Sequence, residues 1–169
     1  SGIVMALTNF SKSFVLDLLK VFFNCKYKLN LYEGDTLELN VVSEWGVELN
    51  SFDVILGNPP YNKGGIRSMT GKQLGNKNET IWPKFIEKSF ECLKPDGFLA
   101  FINPLSWLKK SHSLHKEMLE KHIIWLKLWD SIKSSATIHG QIPISLFILQ
   151  NTPNSTNKKT FIISEIQSQ

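Results

Sequence analysis

The sequence predicts an α/β fold built on a mostly parallel, doubly wound sheet with an antiparallel pair of strands at one edge. Short uncharged apolar runs, typical of buried strands, alternate with segments whose apolar residues recur every three or four positions, which indicates amphipathic helices. Two later apolar runs follow one another without a helical segment between them, so we expect these strands to pair antiparallel.

The first half of the chain is expected to hold three strands and one helix before a loop. The strands are apolar or alternating runs that end in turn residues, and the helix carries an apolar stripe. The strands span residues 2–7, 27–35 and 52–57, and the helix spans residues 10–23. Residues 62–79 contain four glycines and more Lys and Arg than Asp and Glu, which predicts a loop.

The second half of the chain is expected to hold two helices and four strands. Residues 80–94 and 106–122 have the apolar spacing of helices, and Pro83 falls in the first turn of the former, where proline is tolerated. Residues 131–142 are rich in small side chains and are expected to form a loop. The predicted strands span residues 97–102, 123–130, 143–150 and 160–166.

The composition is that of an ordinary globular domain, with 42% hydrophobic and 20% charged residues. We expect residues 1–150 to form one domain and residues 151–169 a linker with the start of a further strand. No apolar run approaches the roughly 18 residues of a membrane span, and no secretion leader is evident, so we expect a cytoplasmic protein. Cys25 and Cys92 belong to no cluster at metal-ligand spacing, which predicts no metal site. The net charge of +4 favours an anionic partner only slightly.

The tetrad Asn58-Pro59-Pro60-Tyr61 follows the strand at residues 52–57, where ligands collect in open α/β sheets. Two consecutive prolines can neither donate to a sheet ladder nor continue a helix, so they end the strand rigidly. Asn58 offers a side-chain carbonyl, Pro59 a backbone carbonyl and Tyr61 an aromatic face. Two acceptors beside an aromatic plate suit a planar ring with an exocyclic amino group. The alternative is a rigid surface turn.

This tetrad resembles the catalytic motif of DNA amino-methyltransferases, and the wider sequence resembles the gamma-order enzymes of restriction–modification systems. The resemblance covers residues 2–150. "GDTLEL" from Gly34 is similar to the element that contacts the adenine of S-adenosylmethionine. "WPKFIEKSFECLKPDGFLAFINPLSWL" from Trp82 is similar to the helix, turn and strand after the tetrad. "IHGQIPISLFIL" from Ile138 is similar to the loop and strand that carry a base-stacking residue.

The resemblance implies a Rossmann-like methyltransferase fold that uses S-adenosylmethionine to methylate a base swung out of double-stranded DNA. Asn58 and Pro59 would hold the amino group, and Tyr61 and His139 would stack on the ring, with Pro60 fixing the turn. The leading asparagine favours adenine over cytosine. Catalysis would then consist mainly of alignment and stabilisation of the charge that grows on the amine.

The resemblance also implies cofactor contacts from Asp35, Thr36, Asn58 and Phe85. A turn-capping role for Asp35, a core position for Phe85 and an exposed loop position for His139 are the alternatives. Four basic residues of the predicted loop would meet DNA phosphates, with solvated charge on a loop as the alternative. These residues are Lys63, Arg67, Lys72 and Lys77.

The sequence departs from the family pattern at the start of the cofactor site. The family's Gly-rich turn, commonly Phe-x-Gly-x-Gly, is absent, and the strand at residues 2–7 lacks the carboxylate that would hold the ribose. We therefore expect a partial catalytic domain without its first central strand, completed by an upstream polypeptide and a DNA-recognition domain. The alternatives are a non-catalytic relic or binding module of this fold, and a methyltransferase that acts on protein glutamine or RNA.

Overall fold

The strands form one mixed sheet. The computed structural model describes residues 4–7, 30, 32, 34–62, 79–138 and 142–165. The strands in chain order are β1 (Val4–Leu7), β2 (Phe52–Gly57), β3 (Leu93–Pro104), β4 (Lys121–Trp129), β5 (Ile144–Pro153) and β6 (Phe161–Glu165). Within these residues the sheet has six strands in the spatial order β1-β2-β3-β5-β4-β6.

All described strands except β5 run in the same direction. β1, β2 and β3 are mutually parallel, and β4 is parallel to β6. The reversed strand β5 lies between β3 and β4 and pairs antiparallel with both. The predicted antiparallel pair is therefore present as β4 and β5, with β6 added outside it.

The strand β1 lies directly beside β2, where the sequence predicts that a central strand is missing. Val4 is opposite Val54, and the parallel pairing continues to Leu7 opposite Gly57. This ladder gives hydrogen-bond partners to backbone groups on one side of β2 that an absent neighbour would leave unpaired.

The described helices lie in the connections between strands. They are α1 (Val41–Trp45), α2 (Trp82–Cys92), a 3-10 segment (Leu105–Leu108), α3 (His115–Glu120) and α4 (Ser131–Ile138). Helix α1 was not predicted, although both of its end signals are local. The side chain of Asn40 accepts hydrogen bonds from the backbone N–H groups of Val42 and Ser43, and Gly46 ends the helix with a left-handed φ of 64°.

Three predicted elements differ in the structure. Residues 106–122 do not form one helix, because the chain follows the 3-10 segment with turns before α3 begins at His115. Residues 131–142 are not wholly loop, because α4 occupies Ser131–Ile138. The four described residues of the strand predicted at 27–35, namely Asn30, Tyr32, Gly34 and Asp35, belong to no strand. The helix predicted at 10–23 lies outside the described residues.

The core contains a buried polar chain that ties three elements together. The indole Nε1 of the fully buried Trp107 donates to Ser145 Oγ at 2.8 Å, and that hydroxyl donates to Asn103 Oδ1 at 3.1 Å. The ring of Trp107 also meets Phe147 edge-on, with ring centroids 6.2 Å apart. The 3-10 segment is therefore fixed to β3 and β5 by hydrogen bonds as well as by apolar packing. No helix among the described residues is long and apolar enough to cross a membrane.

Candidate functional site

The tetrad lies at the carboxyl edge of β2, immediately after Gly57. Asn58 and Pro60 are exposed, Pro59 is buried and Tyr61 is half-buried. The two prolines end the ladder, because neither has an N–H to donate to a neighbouring strand. No hydrogen bond among the described residues uses the Asn58 side chain, so its amide faces solvent with both its acceptor and its donors available.

The backbone of Tyr61 is anchored to the segment that leads into α2. Its carbonyl accepts a hydrogen bond from the N–H of Ile81 at 3.0 Å. The next residue, Asn62, forms an isolated antiparallel bridge with Thr80. Residues 61–62 are therefore held against residues 80–81, which fixes the end of the tetrad against the start of α2.

The side chain of Tyr61 packs against the hydrophobic core, and its hydroxyl is buried without a hydrogen-bond partner among the described residues. Burial raises the pKa of this phenol from 10.0 to about 12, because the charged form would lose its hydration. Tyr61 is therefore a neutral aromatic group at neutral pH. It contributes an uncharged aromatic ring rather than an acid or a base.

The turn that contains Asp35 is stabilised by its own carboxylate. Asp35 Oδ1 accepts from the N–H of Leu37 at 2.9 Å, and the Asp35 carbonyl accepts from Glu38 N at 3.0 Å. Lys88 on α2 donates to the carbonyl of Leu37 at 3.2 Å. Asp35 is thus an exposed turn-capping carboxylate, with one oxygen left outside the turn, and Thr36 beside it is half-buried.

Phe85 lies in the core, with only 6% of its surface exposed, and Trp82 is 1% exposed. The core interpretation fits both positions, and Phe85 presents little surface to a cofactor. The other predicted site residues, His139 and the four basic residues Lys63, Arg67, Lys72 and Lys77, lie outside the described residues. Within the described part of the chain, no group of three or more His, Cys, Asp or Glu residues could hold a metal ion.

One contact near the tetrad was not predicted. The imidazole of His112 stacks on Trp82, with ring centroids 5.0 Å apart and an angle of 23° between the planes. Burial lowers the pKa of His112 below its ordinary 6.5, and the neighbouring His115 lowers it further. The sequence carries only a weak signal for this pair, since a histidine in a polar segment is usually solvated.

Comparison with known proteins identifies relatives of one kind. A family model described as Eco57I restriction-modification methylase matches residues 7–133. A candidate type II restriction enzyme and methyltransferase of Methanocaldococcus jannaschii is 37% identical over 83 residues, which is 46% of this chain and 7% of that protein. The adenine-specific methyltransferase BrxX of Escherichia coli O9:H4 is 27% identical over 103 residues, which is 53% of this chain and 8% of that protein.

A solved structure supports the fold. The methyltransferase subunit of a type I restriction-modification system from Streptococcus thermophilus superposes with a TM-score of 0.52 at 23% identity. The match covers 78% of this chain and 29% of that one. The predicted Rossmann-like methyltransferase fold is confirmed. The chain spans less than a tenth of the length of the two curated relatives.

Proposed function

We propose that this chain, which belongs to the Eco57I restriction-modification methylase family, is the base-holding part of a longer adenine-specific DNA methyltransferase. The reaction is transfer of a methyl group from S-adenosylmethionine to the exocyclic amino nitrogen of an adenine in double-stranded DNA. The names of the two curated relatives support this substrate class. The observation that carries the proposal is the exposed Asn58 amide, unengaged among the described residues, close to Tyr61, whose backbone is anchored at the carboxyl edge of β2.

The tetrad would hold the amino group and leave its lone pair free. The Asn58 side-chain carbonyl accepts one amino hydrogen, the Pro59 backbone carbonyl accepts the other, and Tyr61 stacks on the flipped base. S-adenosylmethionine, when bound, supplies an electrophilic methyl group. The amino nitrogen bonds to the methyl carbon as the carbon–sulfur bond breaks, and it then releases a proton to water. Both acceptors stabilise the positive charge that grows on the nitrogen.

The described residues fit one end of the cofactor. The Asp35 oxygen that the turn leaves unused is an exposed acceptor suited to the amino group of the cofactor's adenine, and Thr36 lies next to it. Asn58 would also face the cofactor, whereas Phe85 would contribute at most the edge of its ring. We propose that a Gly-rich turn for the methionine end comes from polypeptide beyond this sequence, together with a DNA-recognition domain.

Contacts outside the described residues complete the proposal. His139 would stack on the base opposite Tyr61. The basic residues Lys63, Arg67, Lys72 and Lys77 would contact DNA phosphates. A DNA substrate of this kind implies a cytoplasmic enzyme.

The test is transfer of tritiated methyl from S-adenosylmethionine into duplex DNA, RNA and a glutamine-containing protein substrate. It compares the 169-residue chain alone with the chain joined to a polypeptide that supplies a Gly-rich turn. We expect label in DNA adenine with the joined protein. Label in protein or RNA alone would contradict the DNA assignment. Donor binding is measured separately by calorimetry, and its absence in both proteins would favour a non-catalytic relic.

Substitution of Asn58 tests the role of the tetrad in that reaction. In the joined protein, Asn58→Ala should lower the methylation rate by roughly 100-fold or more, as loss of one transition-state hydrogen bond does in other enzymes. The dissociation constant of the donor should change far less than the rate, because Asn58 is only one of several proposed cofactor contacts. Asn157→Ala is the matched control, because Asn157 is exposed and lies in the turn between β5 and β6. An equal loss of donor affinity in Asn58→Ala would mean that the tetrad is not the base pocket.

A further inference from the structure

We propose that Lys109 and Lys110, in the turn after the 3-10 segment, form a contact surface for the phosphate backbone of duplex DNA. This surface, the Lys109–Lys110 turn, would act beside the tetrad during methylation, so it rests on the proposed function. The sequence predicts both lysines within the helix at residues 106–122, whereas the structure places them in a turn.

The Lys109–Lys110 turn emerges at the same edge of the sheet as the tetrad. β2 and β3 are parallel, with Gly57 opposite Phe101. β3 continues to Pro104, and the 3-10 segment Leu105–Leu108 then leads into the turn. A duplex that delivers a base to Asn58 therefore approaches the edge on which these lysines lie.

The turn is held rigidly by hydrogen bonds. Lys109 N donates to Ser106 O at 3.0 Å, and the carbonyl of Lys109 accepts from His112 N at 2.9 Å. His115 Nδ1 donates to the carbonyl of the buried Trp107 at 3.1 Å. Because the backbone is already ordered, binding of an anion there would cost little loss of backbone entropy.

A continuous line of contacts connects the turn to the tetrad. The ring of His112 stacks on Trp82, the first residue of α2. The residue before it, Ile81, donates its N–H to the carbonyl of Tyr61. The basic turn and the proposed base pocket are thus supported by the same helix start, which fixes the position of one relative to the other.

The charge of the turn is not neutralised within the described structure. Five other described lysines form ion pairs with carboxylates, namely Lys84, Lys94, Lys116, Lys127 and Lys133, whereas Lys88, Lys121, Lys158 and Lys159 form none among the described residues. Lys109 and Lys110 are exposed and belong to no ion pair among the described residues. The sequence from 97 to 116 contains no Asp or Glu. Two unpaired ammonium groups in an acid-free segment are suited to phosphate oxygens.

The test measures how salt weakens binding of the 169-residue chain to a duplex oligonucleotide, followed by fluorescence anisotropy. Each phosphate contact adds about 0.9 to the slope of log affinity against log salt, so Lys109→Ala/Lys110→Ala should lower that slope by about 1.8. Lys109→Arg/Lys110→Arg should retain it. Lys159→Ala is the matched control, because Lys159 is also exposed and belongs to no described ion pair, but it precedes β6 at the opposite edge.

Three results would overturn the proposal: no duplex binding by the unsubstituted chain, an unchanged slope in the double alanine variant, or an equal decrease in Lys159→Ala. The same variants in the joined protein separate this proposal from the proposed function. Methylation of DNA adenine with unaltered affinity in the double alanine variant would remove the turn and leave the enzyme assignment intact. Decreased duplex affinity in the double alanine variant, with no methyl transfer even by the unsubstituted joined protein, would support the Lys109–Lys110 turn and remove the enzyme assignment.

Discussion

The hydroxyl of Tyr61 provides a sharp test of how the base pocket is built. Within the part of the chain that the structure describes, it is buried without a hydrogen-bond partner, and an unsatisfied buried polar group costs roughly 1–3 kcal/mol. Tyr61→Phe removes the hydroxyl and keeps the ring, so the free energy of unfolding should rise by about 1 kcal/mol. For a chain of 169 residues this corresponds to an increase in Tm of about 2–4 °C. Tyr61→Ala should instead lower the free energy of unfolding by about 2 kcal/mol, since the half-buried ring is lost.

The pH dependence of stability gives the same test a second readout. The phenol ionises near pH 10 in the unfolded chain but only near pH 12 in the folded one. Between these values the unfolded state releases a proton that the folded state retains, so stability falls as pH rises. The stabilisation is complete below pH 10. Tyr61→Phe should lack this component of alkaline unfolding.

The assay is urea unfolding followed by tryptophan fluorescence, together with methyl transfer by the joined protein. Tyr32→Phe is the matched control, because Tyr32 is half-buried against the same core and its hydroxyl is not among the buried atoms without a partner. If the ring alone stacks on the base, Tyr61→Phe retains methylation while Tyr61→Ala loses it. A Tyr61→Phe variant that is less stable than the original chain, or as inactive as Tyr61→Ala, would refute the reasoning.

Two further predictions concern the core. Ser145→Ala leaves Trp107 Nε1 and Asn103 Oδ1 unpaired at fully buried positions and should lower the free energy of unfolding by about 2 kcal/mol. The same change at the exposed Ser113 should have little effect. Equal stability of both variants in urea would contradict the role of the buried polar chain. Gly97→Ala brings a Cβ to 3.0 Å from the Phe52 carbonyl and should cost about 1–3 kcal/mol by overpacking. The Cβ of Gly46→Ala meets no atom within 4 Å, so this change should cost only about 1 kcal/mol for the left-handed φ. If thermal unfolding shows a larger decrease in Tm for Gly46→Ala than for Gly97→Ala, space at Gly97 is not limiting.

The sequence predicted those elements whose apolar pattern is uninterrupted. β2, α2, β4, β5 and β6 are all found within a few residues of their expected positions. Each is an apolar run of strand length or an apolar stripe with helical spacing, and turn or capping residues bound it in the sequence.

The elements that were missed depend on contacts between distant residues or on short capping signals. Residues 106–122 have helical periodicity throughout, yet the Trp107 indole bonds to Ser145 on β5, and the chain turns before α3 begins. Helix α4 contains several serines and few apolar residues, and its start is fixed by Asp130 Oδ1, which accepts from Lys133 N at 2.7 Å. Asp130 is a capping signal that the composition of the segment concealed.

The place of the tetrad at the end of β2 agrees with the sequence prediction, whereas the packing around Tyr61 was not predicted. The Pro59-Pro60 pair predicts the end of β2 from covalent chemistry alone, because proline has no N–H to donate to the ladder. The burial of the Tyr61 hydroxyl depends on packing against elements far away in the sequence, which no local pattern reports. The same holds for the stacking of His112 on Trp82.

The reversed strand β5 has a consequence for how the chain is made. β3 and β4 leave the ribosome before β5, yet they are joined only through it. Until residue 153 is synthesised, each of these strands has an unpaired edge that can pair with another chain. A nascent chain stalled before Ile144 should therefore require a chaperone or aggregate, whereas one that has passed Pro153 can join β3 to β4 and needs only β6 to complete the sheet.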